Sequence, residues 1–230
     1  MNDFKKINKL VQKNSAVDSN DIKKIFDYTE AYKQKDPIGI IGEVYDVTVN
    51  VNENNYRSDS FDGDGIMYLG CSLTEGFALE EYDTWPWIVS KHFDKKVWNL
   101  ARSGEGMDKM FITSLFWIPK LKPKVVCLLV PSAGRYFTGY EWHEKFGSNS
   151  FYSYYDMNSA GHNKQFEYLW DNKYMYTHDL KNLLSIAFIC KVHNIEFIYK
   201  SHDDFENFTT SIRAKDNNHP GLPYQQEVAD

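Results

Sequence analysis

Ile66-Met67-Tyr68-Leu69-Gly70-Cys71-Ser72-Leu73-Thr74-Glu75-Gly76 joins a short apolar run to a turn of small residues, and its reading decides the fold. Ile66 to Gly70 is an uninterrupted apolar run rather than an alternating one, the pattern of a strand covered on both faces. Similar runs follow at Val97 to Leu100, Val125 to Val130 and Ile195 to Tyr199. Helical stretches separate them. One spans Trp85 to Phe93, predicted to be capped by Thr84 with Pro86 in its first turn, and another spans Met107 to Trp117. A third runs from about Phe166 to His193, with Leu180, Leu183, Leu184, Ala187 and Phe188 as its apolar stripe. Strands alternating with helices predict an α/β domain, a parallel sheet flanked by helices.

Upstream of this core, Glu43 to Val51 alternates apolar and polar residues with period two and is predicted to form one half-exposed strand. Residues 1–42 read as an N-terminal helical arm in which Ser19-Asn20-Asp21 caps a segment carrying Ile22, Ile25, Phe26 and Tyr28. The core domain then occupies 43–230. Within it, residues 131–161 have no clear period but hold Tyr136, Phe137, Tyr140, Trp142, Phe146, Phe151, Tyr152, Tyr154 and Tyr155. A stretch this long following a strand's carboxyl end fits a substrate-facing insertion, and fits equally rings packed onto the body or onto another subunit.

The composition narrows the function classes. The chain has 230 residues, 42% of them hydrophobic and 16% aromatic, with net charge −6. Its mean hydropathy is −0.56 and its isoelectric point about 5.7. Phosphate binding needs clustered Lys and Arg, so nucleic acid is not the expected partner. No run approaches the roughly 18 apolar residues of a membrane span, and the N-terminus Met1-Asn2-Asp3-Phe4-Lys5-Lys6 lacks the apolar core of a signal peptide. No membrane partner is expected, and the location expected is cytoplasmic or virion-associated. Cys71, Cys127 and Cys190 are odd in number and lack C-x-x-C spacing, which predicts buried free thiols rather than a disulfide or a zinc site.

Three segments carry residues suited to chemistry. Ser72 lies just past the first core strand, where a sharp turn presents a hydroxyl at the sheet's carboxyl edge beside freed backbone N–H groups. The same serine also reads as an ordinary turn or cap residue. Asp216 and His219, in Lys215-Asp216-Asn217-Asn218-His219-Pro220-Gly221, place a carboxylate three residues before an imidazole. The carboxylate can orient one ring nitrogen while the other acts as base. Asn99-Leu100-Ala101-Arg102-Ser103-Gly104-Glu105-Gly106 leaves the second core strand at the same edge, and glycine there permits close backbone approach to a ligand. The lone Gly-x-Gly lacks a full dinucleotide or P-loop pattern. His92, His143, His162, His178, His193 and His202 read as ordinary packed or surface histidines; His143 and His162 border the aromatic insertion.

Together these blocks resemble the SGNH/GDSL hydrolase family, whose motifs run G-D-S-x-x-x-G, N-x-x-x-x-G, G-x-N-D and D-x-x-H. The matching residues are Gly70-Cys71-Ser72 with Gly76, then Asn99 to Gly104, then Asp216 to Pro220. The segments Asn55 to Phe61 and Thr84-Trp85-Pro86 also look like members acting on acylated carbohydrate or related esters. The resemblance implies a three-layer α/β/α sandwich around a parallel, flavodoxin-like sheet. It implies a serine esterase with Ser72 as nucleophile and Asp216 and His219 completing a triad. The backbone N–H groups of Ser72 and Gly104 would hold the oxyanion, with no metal and no organic cofactor. The partner it implies is a small-molecule or carbohydrate ester.

Two positions depart from the family pattern. Cys71 replaces the aspartate beside the nucleophile and is expected to pack inward. In Val130-Pro131-Ser132-Ala133-Gly134-Arg135, Ser132 stands nearest the family's asparagine. Losing one oxyanion donor costs about 100- to 1000-fold in turnover. Ser132 is the expected partial substitute and Arg135 the alternative, while Arg135, Tyr136 and Trp142 are candidate substrate contacts. An ester hydrolase, an acyltransferase and a binding module with decayed chemistry all remain open at this point.

Overall fold

The computed structural model describes residue 23 and residues 43–44, 47–132, 172–205, 212–215 and 219–230. The helical arm expected over 1–42 lies outside these residues apart from Lys23, which is helical, and so does the expected insertion from residue 133 onward.

Four strands form one parallel sheet: β3 (Gly65–Leu69), β4 (Lys96–Asn99), β5 (Val125–Val130) and β6 (Glu196–Ser201), in the order β4-β3-β5-β6. Counted from the first core strand this is 2-1-3-4, the flavodoxin-like order that the resemblance implies. Leu69 pairs with Leu128, and Val130 pairs with Ser201. Every residue of β3 is buried, as a central strand covered on both faces must be.

Helices α1 (Ser72–Glu75) and α2 (Trp85–His92) connect β3 to β4, and α3 (Met107–Leu121) connects β4 to β5. Helix α4 (Asn172–Val192) precedes β6, and α5 (Leu222–Ala229) closes the described chain. The step from β3 to β4 runs one way across the sheet, and the step from β4 to β5 runs back past β3. Right-handed crossovers therefore lay α2 on one face and α3 on the other. The helix pairs agree, α3 packing on α4 and α2 on α5. Chain reversal of this kind opens a crevice between the carboxyl ends of β3 and β5, where open parallel sheets bind ligands.

The free edge of β4 is closed by side chains. Ser58 Oγ donates to the Val97 carbonyl at 2.7 Å and accepts from Asn99 N–H at 3.0 Å, while Asp59 Oδ2 accepts from Val97 N–H at 2.8 Å. These groups take the places a further strand would fill.

Three local expectations need correction. Glu43 to Val51 is not one strand: β1 (Glu43–Val44) and β2 (Val47–Thr48) pair antiparallel with each other, since a period of two suits two short arms as well as one long one. Thr84 occupies the N-cap of α2, but its hydroxyl donates back to the Glu81 carbonyl at 2.8 Å. The Trp85 N–H is satisfied instead by Gln225 Oε1 at 2.9 Å. In α4 the core side consists of Asn182, Ile186 and Cys190, with Leu183 and Ile189 against it, while Leu180, Leu184 and Phe188 are exposed. Apolar residues lie all round this helix, so the sequence pattern could not select the buried face. No helix among the described residues is long and apolar enough to cross a membrane.

Candidate active site

The turn that carries Ser72 depends on two glycines. A side chain at Gly70 would meet Thr74, whose Cβ lies 2.6 Å from the position a Gly70 Cβ would take. Gly76 ends α1 with φ +80°, the left-handed conformation that glycine adopts without a Cβ penalty, and its N–H donates to the Ser72 carbonyl at 2.9 Å. Between them the chain makes one tight turn of helix with Ser72 as its first residue, only 8% exposed. Cys71 packs into the core cluster, as expected of a neighbour pointing the other way. All three cysteines are free and buried. Burial pushes the thiol of Cys127 up to about 12 and that of Cys190 up to about 11, so neither is a reactive thiolate near neutral pH.

His219 meets Ser72 from 147 positions along the chain, its Nε2 lying 2.9 Å from Ser72 Oγ. The loop that brings it there is anchored twice. Ala214 N–H donates to the His219 carbonyl at 2.9 Å, and Lys215 N–H donates to the Ala78 carbonyl just beyond α1 at 3.1 Å. The Phe77 ring lies 5.1 Å from the imidazole, tilted by 47°. Asp216 falls outside the described residues, as do Arg135, Tyr136 and Trp142.

Gly104 sits in a turn closed by Glu105 N–H donating to the Arg102 carbonyl at 3.2 Å, with φ +78°. That turn is fastened to the nucleophile helix by a residue the sequence reading missed. Glu75 is 5% exposed, and its Oε2 accepts from Ser103 N–H at 2.6 Å and from the Ser103 hydroxyl. Asn99 adds a second tie, donating from Nδ2 to the Thr74 carbonyl at 2.9 Å and accepting at Oδ1 from Ala101 N–H at 3.1 Å. The Gly104 loop is thereby held against the helix that presents Ser72.

Arg57 supports the same helix from the other end. Its guanidinium donates to the carbonyls of Gly76 and, at 2.6 Å, Leu79, and reaches the Glu75 carbonyl at 3.4 Å. Burial draws its pKa below the ordinary arginine value, and the charges of Glu75, Glu81 and Glu80 oppose that pull. Ser132 has a partner of its own: its Oγ lies 3.0 Å from Nε2 of His202.

No family model and no curated protein matches the chain. Among solved structures it is similar to a GDSL-like lipase from Bacteroides thetaiotaomicron, with 15% identity and a TM-score of 0.32. That alignment covers 59% of this chain and 47% of the lipase, so the chain spans about half the lipase's length. It is similar to TesA with 11% identity and a TM-score of 0.45, over 72% of this chain and 94% of that one. A psychrotrophic esterase, EstA, from Pseudoalteromonas gives 13% identity and a TM-score of 0.38, over 73% and 93%. Identities this low carry no residue roles across. A lipolytic protein of the G-D-S-L family from Desulfitobacterium hafniense is similar at 12% identity and a TM-score of 0.35, over 73% of this chain and 96% of that one, so two of these structures carry the name of the family that the sequence blocks resemble.

Proposed function

We propose that the protein is a serine ester hydrolase that works through an acyl-enzyme on Ser72. The observation that carries this reading is the 2.9 Å contact between Ser72 Oγ and His219 Nε2 at the carboxyl rim of the sheet. At this distance the imidazole can take the hydroxyl proton, and what favours Ser72 as the nucleophile is its place in the tight turn past β3, beside the backbone N–H groups of that turn.

In the proposed sequence Ser72 Oγ attacks the ester carbonyl carbon while its proton passes to His219 Nε2. The tetrahedral oxyanion is held by the N–H groups of Ser72 and Gly104. As the carbon–oxygen bond to the alcohol breaks, His219 returns the proton to the departing oxygen. Water then gives a proton to His219 and attacks the acyl carbon; as the bond from that carbon to Ser72 Oγ breaks, His219 passes the proton to Oγ, which releases the carboxylic acid and restores Ser72. For Nε2 to accept, the ring proton must sit on Nδ1, and Asp216 is the residue we assign to hold it there. None of these steps calls for a metal or an organic cofactor.

The test is covalent and kinetic. A fluorophosphonate probe should label Ser72, and p-nitrophenyl acetate hydrolysis should fall by about a thousandfold or more in Ser72→Ala and in His219→Ala. A folded protein whose Ser72 takes no probe would be a binding module rather than an esterase. Labelling with acyl passed to an added alcohol in preference to water would make it a transferase.

A further inference from the structure

The pair formed by Ser132 and His202 lies at the ends of neighbouring strands. Ser132 follows β5 by two residues, and His202 begins the short 3-10 turn His202–Asp204 directly after β6. That turn is fixed by Asp204 Oδ2 accepting from Ser201 N–H at 2.9 Å. His202 is 3% exposed, with Nδ1 lying 3.2 Å from the Val130 carbonyl and Nε2 lying 3.0 Å from Ser132 Oγ.

The polarity of this chain of contacts is that of a His202 ring with its one proton on Nδ1. The Val130 carbonyl can only accept, so Nδ1 carries the ring proton, and in the neutral imidazole Nε2 is left with a lone pair. Ser132 has one hydroxyl proton, and the contact with Nε2 takes it. What Ser132 Oγ then turns toward its surroundings is its lone pairs. An oxyanion needs donors, so in this arrangement Ser132 is unsuited to replace the asparagine of the family pattern.

The placement gives that acceptor a use. Ser72 and Ser132 follow β3 and β5, the adjacent strands from which the chain departs to opposite faces of the sheet. Continuing the Leu69–Leu128 register puts Ser72 three residues beyond one partner and Ser132 four beyond the other. Neighbouring strands run about 5 Å apart, so the two serines follow adjacent strand ends on the rim where open parallel sheets bind ligands.

We propose that Ser132, oriented by His202, accepts a hydrogen bond from a hydroxyl on the alcohol portion of the substrate, so that the site selects esters of polyols and sugars over plain alkyl esters. This rests on the ester-hydrolase reading above. Ser132 is a specificity-determining contact, and His202 is the positioning residue that fixes its polarity.

Glycerol monoacetate and propyl acetate supply the test, because they share the acyl group and the three-carbon alcohol and differ in hydroxyls. The unaltered protein should hydrolyse glycerol monoacetate with kcat/KM at least about tenfold above propyl acetate. Ser132→Ala should bring kcat/KM on glycerol monoacetate down to about that on propyl acetate, and Ser132→Thr should retain the preference. Independently of activity, nitrogen-15 spectra of the protein should show the His202 ring proton on Nδ1 and none on Nε2. A His202 carrying its proton on Nε2 overturns the proposal. So does a Ser132→Ala variant that loses equally on both esters, the result expected of an oxyanion donor. A protein whose Ser72 is labelled and which hydrolyses p-nitrophenyl acetate, yet shows no preference for glycerol monoacetate, overturns this proposal alone. A folded protein whose Ser72 takes no probe overturns it together with the esterase reading.

Discussion

Glu75 receives both the N–H and the hydroxyl of Ser103 on one buried carboxylate oxygen, and this fixes the position of the Gly104 loop against α1. A charged acceptor taking two donors is the stronger class of hydrogen bond, and removing it leaves both Ser103 groups in search of water. Glu75→Gln keeps an acceptor of similar shape without the charge, whereas Glu75→Ala leaves the loop only the Asn99 tie. Since displacement of a positioned group by about 1 Å can cost on the order of 100-fold, Glu75→Ala should lower kcat on p-nitrophenyl acetate by about that factor. Glu75→Gln should fall between Glu75→Ala and the unaltered protein. On the proposed mechanism, in which the loop positions a donor for the oxyanion rather than for the bound ester, KM should change little; steady-state kinetics with a melting curve on each variant checks this. An unchanged kcat in a folded Glu75→Ala protein would show that the tie has no catalytic consequence. The sequence offered Ser72, His219 and Gly104 as candidates because a strand end, a carboxylate–imidazole pair and a glycine each carry a local mark, and the structure brings the first two into contact. It hid Glu75 and His202, because acidic residues and single histidines are ordinarily solvated or packed and their partners lie on other strands.

Helix α5 shows how an element of eight residues can hold a site together. Gln225 is 1% exposed; its Oε1 accepts from Trp85 N–H and its Nε2 donates to the Leu73 carbonyl at 3.2 Å. One side chain thus satisfies the start of α2 and the helix that carries Ser72. Gln225→Leu fills similar space and leaves both backbone groups without their partner, each at about 1–3 kcal/mol. The variant should therefore lose about 2–6 kcal/mol in urea unfolding with an unchanged m-value. A loss within error of zero would mean that water replaces the amide at both groups. At this scale the four core strands were legible because continuous apolar runs between helical stretches have few other readings. The capping of α2 was not, because Thr84 and Gln225 are equally able to serve a helix start, and only the docking of α5 on α2 decides between them.

Across the whole molecule the site is assembled from segments distant in sequence, and Arg57 joins several of them before the core sheet has begun. It is 4% exposed and holds carbonyls beyond the end of α1, while Arg102 lies over the neighbouring Tyr56 ring at 4.3 Å. Replacing Arg57 by Met keeps much of its apolar volume but removes a charge from among Glu75, Glu80 and Glu81. Hydrogen bonds to charged groups contribute about 1.5–3 kcal/mol each, so Arg57→Met should destabilise the fold by about 3 kcal/mol or more at neutral pH. The pH dependence follows from Glu81, whose folded-state pKa is raised above its ordinary 4.5, chiefly by burial, with Arg57 acting to lower it. A carboxyl whose folded pKa is raised penalises the fold when ionised; that cost is full above the folded value and absent below the unfolded one. Without Arg57 the Glu81 pKa rises further and the penalty grows. The deficit of Arg57→Met relative to the unaltered protein should then be largest near neutrality and shrink as pH falls through the raised Glu81 value toward 4.5. Urea unfolding of both proteins across that range measures it. A deficit that stays constant with pH would assign the whole effect to the lost carbonyl contacts and none to the balance of charge around the guanidinium.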